Sequence, residues 1–151
     1  MTDEATNFAA LCNENPGGFN RAMGVRFLDV TPDQVVGELT ITPVHHQPYG
    51  IVHGGVLAGV IETLCSVGAA IAAAPRKQSV VGVDNHTSFL KAVREGTLRI
   101  TARPLTRGRR TQLWESDVRD ADGRLIATGR VRLLCLDEGA ELAGEVAGVK
   151  A

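Results

Sequence analysis

Between Gly54 and Ala74 the chain reads GGVLAGVIETLCSVGAAIAAA, and its only charged residue is Glu62. The spacing predicts one long helix, apolar nearly all round, and such a helix belongs inside a core rather than on a surface. An ionised glutamate there is costly, so three readings survive. Glu62 is neutral, it is paired or hydrogen-bonded as a structural residue, or it faces a cleft that admits water and substrate. At 151 residues and 16.0 kDa the chain is the size of one domain, and the rest of it must wrap this helix.

The flanking segments are β-prone. VRFLDV, the turn TPDQ and VVGELTIT read as a hairpin, and Gln47 to Gly55 as a loop entering the helix. Runs at 79–90, 97–105, 111–119 and 124–136 are rich in Val, Thr, Leu and Ile, and are separated by REG, RGR and DADG. Those turn signals predict an antiparallel meander. A short helix is expected over residues 4–12, ended by NENPGG, with a further helical turn at FNRAMG. The tail EGAELAGEVAGVKA has little to bury and is expected to be frayed or a loosely held helix. The expected architecture is α+β, a curved antiparallel sheet around one central helix. It divides into an N-terminal helix and loop (1–19), the main domain (20–136) and a flexible C-terminal tail (137–151).

Composition narrows the function classes. With 16 Lys and Arg against 17 Asp and Glu, no net field draws the chain to nucleic acid or to an anionic membrane. The arginines from Arg103 to Arg110 lack interleaved aromatics for stacking bases. Cys12, Cys65 and Cys135 are odd in number and widely spaced, which argues for a reducing compartment. The start MTDEATNF shows no secretory pattern, and Glu62 divides the one candidate membrane span into pieces below the roughly 18 residues needed. A soluble cytoplasmic protein is expected. His45, His46 and His53 match no zinc spacing, so no metal is expected, and no G-x-S-x-G elbow is present.

The sequence HGG at the helix start is the second chemical signal. Gly54 and Gly55 let another molecule approach the backbone, where first-turn N–H groups lack internal partners and suit a developing oxyanion. The same glycines also fit a tight turn with no ligand. Gly54 and Glu62 are eight residues apart, about 12 Å along a helix axis at 1.5 Å per residue. Attack requires reacting atoms about 3 to 3.5 Å apart. Two such helices packed antiparallel about a two-fold axis would bring Glu62 of one opposite Gly54 of the other, with Ala58 and Gly59 at the midpoint. Ser66, one turn beyond Glu62, is placed to hydrogen-bond it. The expectation is a site shared between subunits.

The segments QPYGIVHGGVLAGVIETLCSVGA, VVGVDNHTSFLKAVREG, RPLTRGRRTQLWE and DADGRLIATGRVRL resemble the hotdog-fold acyl-CoA thioesterases. The branch is the one containing the Arthrobacter-type 4-hydroxybenzoyl-CoA and 1,4-dihydroxy-2-naphthoyl-CoA thioesterases. Gln47, then HGG, then Glu62 nine residues after His53 carry the likeness most specifically. The resemblance implies hydrolysis of an aryl- or medium-chain acyl-CoA to free acid and CoA, with Glu62 as nucleophile or general base and the Gly54 N–H polarising the carbonyl. Gln47 would orient that carbonyl, His53 shape the site and Ser66 assist the acid. Gly55, Lys91 and Arg94, and Gly108, Arg109 and Arg110 in the RGRR turn, are candidate CoA contacts, although a solvated hairpin tip explains that turn equally. The implied assembly is a homodimer, commonly doubled to a homotetramer, with no cofactor beyond the CoA of the substrate. The alternatives are a non-catalytic acyl-CoA-binding hotdog module and a hotdog dehydratase.

Overall fold

The computed structural model describes residues 6–150. Two short helices lead, α1 (Ala9–Glu14) and α2 (Gly18–Met23). The expected helix start at residue 4 lies outside the described residues. Asn13 fastens α1 to the sheet, donating to the Phe27 carbonyl and accepting from the Phe27 N–H, both at 2.9 Å.

Strands β1 (Arg26–Val30) and β2 (Val35–Thr40) form the expected hairpin. The long helix is α3 (Gly54–Ala73), followed by β3 (Ser79–Phe89), β4 (Thr97–Arg107), β5 (Thr111–Arg119) and β6 (Leu125–Leu136). Together β1 to β6 make one antiparallel sheet in the order β1-β2-β4-β5-β6-β3, and α3 packs against β2 to β6. This is the hotdog architecture.

The meander holds for β4, β5 and β6 but not for β3. That strand lies at the far edge, paired with β6 from Ser79↔Leu136 to Phe89↔Ala127, while β4 pairs with β2. Residues 90–96 are therefore a crossover rather than a hairpin turn. Its carbonyls go to the segment preceding α3, Val93 O accepting from Val52 N–H and Gly96 O from Ile41 N–H, each at 2.9 Å. With β2 and β3 on opposite sides, the sheet can curl around an all-apolar helix, which a simple meander beside it would leave half uncovered.

Leu57, Val60, Ile61, Leu64, Cys65, Ala69 and Ala73 of α3 are buried against alternate residues of the sheet, among them Leu39, Leu98, Ile100, Trp114, Val118, Ile126, Val131 and Leu133. The closest approach is at Gly68, where an added Cβ would meet the Trp114 ring at 2.5 Å. Gln112 bridges the layers, donating to Ala69 O at 3.0 Å and accepting from the Trp114 indole N–H at 2.9 Å. Both buried polar groups are thereby satisfied.

Two expectations are corrected. Glu62 does not cut the apolar segment below a spanning length: the continuous helical stretch Gly54–Arg76 is long and apolar enough by composition to cross a membrane. One face of it, about half of the apolar stretch, is buried against the sheet. In place of a helix, the tail forms a small hairpin, β7 (Glu141–Leu142) with β8 (Glu145–Val146). Ala143 and Gly144 both adopt positive φ, 51° and 82°, the backbone that a tight two-residue hairpin turn needs.

Candidate active site

The segment from Ile41 to His53 delivers the chain to the helix start. It is folded on itself: Gln47 N–H donates to Ile51 O at 2.9 Å, and His53 N–H to His45 O at 2.8 Å. Arg94 braces it from outside, its Nη1 donating to Tyr49 O at 2.8 Å while its own carbonyl meets His46 Nε2 at 2.7 Å. Arg94 therefore supports the loop and has one guanidinium nitrogen committed to it. The Gln47 side-chain oxygen accepts from the Tyr49 N–H. Its Nε2 donor has no partner among the described residues.

His53 is the N-cap of α3, its Nδ1 accepting from the Gly55 N–H at 2.7 Å. A side-chain acceptor satisfying an early N–H is the ordinary capping arrangement. One consequence is chemical: the Gly55 N–H is occupied, while the Gly54 N–H meets no acceptor among the described residues. His53 lines a separate hollow with Phe19, Met23, Val44 and Val56, and is not part of the lining of the hollow that Gln47 shares with Gly54.

Gln47 and Gly54 line one cavity of about 260 Å³ together with Ile51, Leu57, Phe89, Leu90, Lys91 and Val93. Most of that lining is apolar. Two residues that each carry a donor with no acceptor among the described residues thus line an apolar hollow, and the exposed Lys91 lines it with them.

Glu62 is elsewhere. It is half-buried on α3 and faces β3, where its Oε1 accepts from Ser66 Oγ at 3.3 Å and its Oε2 from Asn85 Nδ2 at 3.0 Å. Gly82 makes room for it, since a Cβ there would collide with Oε1. The expected Ser66 contact is present. Asn85 and Gly82 were not singled out in the sequence, although the polar run Asp84 to Ser88 inside a β-prone segment is the signal that something on this strand is not core.

The RGRR turn lies at the opposite end of α3 from Gly54. Gly108 O accepts from Arg76 at 3.3 Å, and Arg109 O from Gln78 at 3.1 Å. Within one chain the structure therefore brings together Gln47, Gly54 and Lys91, and separately Glu62 and Ser66, but not the two groups. It leaves Gly108, Arg109 and Arg110 apart from both.

Burial, then the Glu62 charge, push the Cys65 thiol well above the usual thiol range, so Cys65 is a packed, protonated side chain. His45 uses both ring nitrogens on backbone, Nδ1 accepting from Thr42 N–H at 2.9 Å and Nε2 meeting Met23 O at 2.7 Å. Among the described residues, no three His, Cys, Asp or Glu side chains converge on one point.

A helix wrapped by a hotdog sheet, with an acid on the helix and free backbone and amide donors at its start, defines a class of enzyme rather than a single activity. Residues 49–127 match the thioesterase superfamily, and the chain belongs to that family of thioester hydrolases. It is similar to Rv1847 of Mycobacterium tuberculosis, at 38% identity over 121 residues, covering 79% of this chain and 86% of that one. The solved structure of Rv1847 superposes with a TM-score of 0.78 over 82% of this chain and 98% of that one. The proofreading thioesterase EntH of Cronobacter turicensis is 32% identical over 131 residues, 87% of this chain and 91% of that one. The solved thioesterase HI1161 of Haemophilus influenzae is 26% identical and superposes with a TM-score of 0.78, over 91% of this chain and 93% of that one.

Proposed function

We propose that the chain is an acyl-CoA thioesterase whose active sites are shared between two copies of itself. The observation that carries this reading is the separation on α3 of two incomplete half-sites. Glu62, with Ser66 one turn further on, lies about 12 Å along the helix from Gly54, which shares its cavity with Gln47. Neither half does chemistry alone. Antiparallel pairing of two α3 helices would set each acid against the other chain's donors.

The edge strand β3 supports such pairing. Its 11 residues are hydrogen-bonded to β6 on one side only, and Val83 and Phe89 on it are more than half exposed. A long free edge of this kind is a template for a second strand.

In the assembled site, the Gly54 N–H and Gln47 Nε2 hold the thioester carbonyl oxygen and stabilise the charge it gains when attacked. Glu62 of the other chain either attacks the carbonyl carbon itself or removes a proton from a water that does so. In the first route the C–S bond breaks as Glu62 forms a mixed anhydride with the acyl group, and CoA leaves as its thiol. One water then cleaves the anhydride to free acid and the Glu62 carboxylate. In the second the water oxygen enters the acid directly as the C–S bond breaks and CoA leaves as its thiol. The apolar wall of Ile51, Leu57, Phe89 and Val93 suits an aryl- or medium-chain acyl group. Lys91 in the lining, and the forked donors of Arg109 and Arg110, suit the phosphates of CoA. The family resemblance extends the dimer to a homotetramer, and the three free thiols fit a cytoplasmic setting.

The test is thiol release from a panel of aromatic and aliphatic acyl-CoAs by the wild-type protein and by Glu62→Gln. Turnover by the first and not the second supports the reading. Tight binding of acyl-CoA with no release by either would make the chain a binding module instead.

A further inference from the structure

Asn85 sits on the exposed edge strand, yet all of its side-chain hydrogen-bonding capacity toward the protein is directed. Its Nδ2 donates to Glu62 Oε2 at 3.0 Å and to the Ala58 carbonyl at 3.1 Å. Its Oδ1 accepts from the Thr87 hydroxyl at 2.6 Å. An amide has two N–H donors and one carbonyl acceptor, and here each meets a group of the right kind. Turning the amide over would point Oδ1 at a carboxylate and a carbonyl, two acceptors. The Thr87 hydroxyl, which donates to Oδ1 as the amide stands, would have to give up that bond and accept from the NH₂ group instead.

The position of Asn85 follows from the strand. Residues 85, 87 and 89 project from one face, toward α3: Asn85 onto Ala58 and Glu62, and Phe89 onto Gly54. The register slip of β3 against β6 between Gly82 and Asp84 lets Gly82 also meet Glu62. The carboxylate is thus bounded by the Gly82 backbone, the Ser66 hydroxyl and the Asn85 amide.

We propose that Asn85 is a positioning residue for the thioesterase reaction, with Thr87 as the group that fixes its orientation. This inference rests on the assignment of Glu62 under the proposed function. The Ser66 bond, at 3.3 Å, is the longer of the two that Glu62 receives and comes from the same helix. It leaves the carboxylate free to swing about the helix surface. Asn85 reaches from a different element and removes that freedom, while its second N–H on Ala58 O ties the strand to the turn of α3 preceding Glu62. With Oε2 and the side-chain torsion held by Asn85, the acid presents a fixed face to the substrate carbonyl, which lowers the reorganisation needed before attack.

The experiment compares wild type, Glu62→Gln, Asn85→Leu, Thr87→Val and Thr87→Ser on one acyl-CoA substrate, with oligomeric state and Tm measured for each. Leucine keeps the branched outline of asparagine at a somewhat larger volume and deletes its donors. The expected result is that Asn85→Leu lowers kcat by about 10-fold or more, toward the ~10²-fold that a displacement near 1 Å can produce, with KM little changed. Thr87→Val should lower kcat by a smaller factor, and Thr87→Ser, which restores the hydroxyl, should recover it. A packing role alone would move Tm and leave kcat in place. Retention of kcat within twofold by both Asn85→Leu and Thr87→Val, or a rise in KM at unchanged kcat, would overturn the positioning role while leaving Glu62 as the acid. Wild-type turnover retained by Glu62→Gln would instead remove the assignment on which the inference rests, and the inference with it.

Discussion

Glu62 receives hydrogen bonds from two elements and is the acid to which the proposed function assigns the chemistry. Replacing it with Gln keeps the shape and the contact with Ser66 but removes the charge. We expect kcat to fall by at least about 10²-fold, the scale of losing a positioned base or nucleophile, with the thermal transition changed little. Gly82→Ala should act on the same atom from the other side, since the new Cβ must displace the carboxylate. Here turnover should drop while substrate affinity, set in the Gln47 and Gly54 cavity, is retained in equilibrium binding. Cys65 makes a contrasting prediction. Its thiol is held protonated by burial and by the neighbouring acid, so alkylation of the native protein at pH 8 should leave Cys65 unmodified by peptide mapping, and unfolding in urea should expose it. At this scale Glu62, Gly54 and Ser66 were legible because each breaks a local rule: an acid in an apolar helix, glycines at a helix start, a hydroxyl one turn from a charge. Gln47 was legible only through the family resemblance. Asn85 and Gly82 were not legible, because their effect depends on which strand lies across from Glu62.

The helix α3 is held by shape and by one buried polar bridge. Gly68→Ala would drive a methyl group into the Trp114 ring, and overpacking of this kind destabilises by about 1 to 3 kcal/mol, which urea denaturation would measure as a lower midpoint at unchanged slope. Gln112→Leu leaves the Trp114 indole N–H buried without an acceptor, a loss of about 1 to 3 kcal/mol by the same measurement. The elements themselves were readable from periodicity and turn residues, and strand bounds differ from expectation by only a few residues. The pairing of β3 was not readable. REG carries the same glycine and charge signals as a hairpin turn, and only the need to cover both flanks of α3 sends β3 to the opposite edge.

Under the proposed function, the two half-sites meet only across two copies of the chain. Mixing Glu62→Gln chains with Gln47→Ala chains, each inactive alone, should restore one working site per heterodimer. Failure with heterodimers demonstrated by mass spectrometry would refute sharing. Val83→Glu, which puts a charge on the free edge of β3, should shift the protein toward monomer in sedimentation and reduce turnover in parallel. The sequence by itself determined the central helix, its lone acid, the donors at its start and the distance between them, because these follow from helical rise and from side-chain chemistry along a single element. Only the tertiary structure decided which strand meets Glu62, that His53 caps the helix and lines a different hollow from Gln47, and that Arg94 braces the loop. Those outcomes depend on contacts between residues far apart in the chain, where the choice of partner is set by how the whole sheet closes around its helix and leaves no local trace.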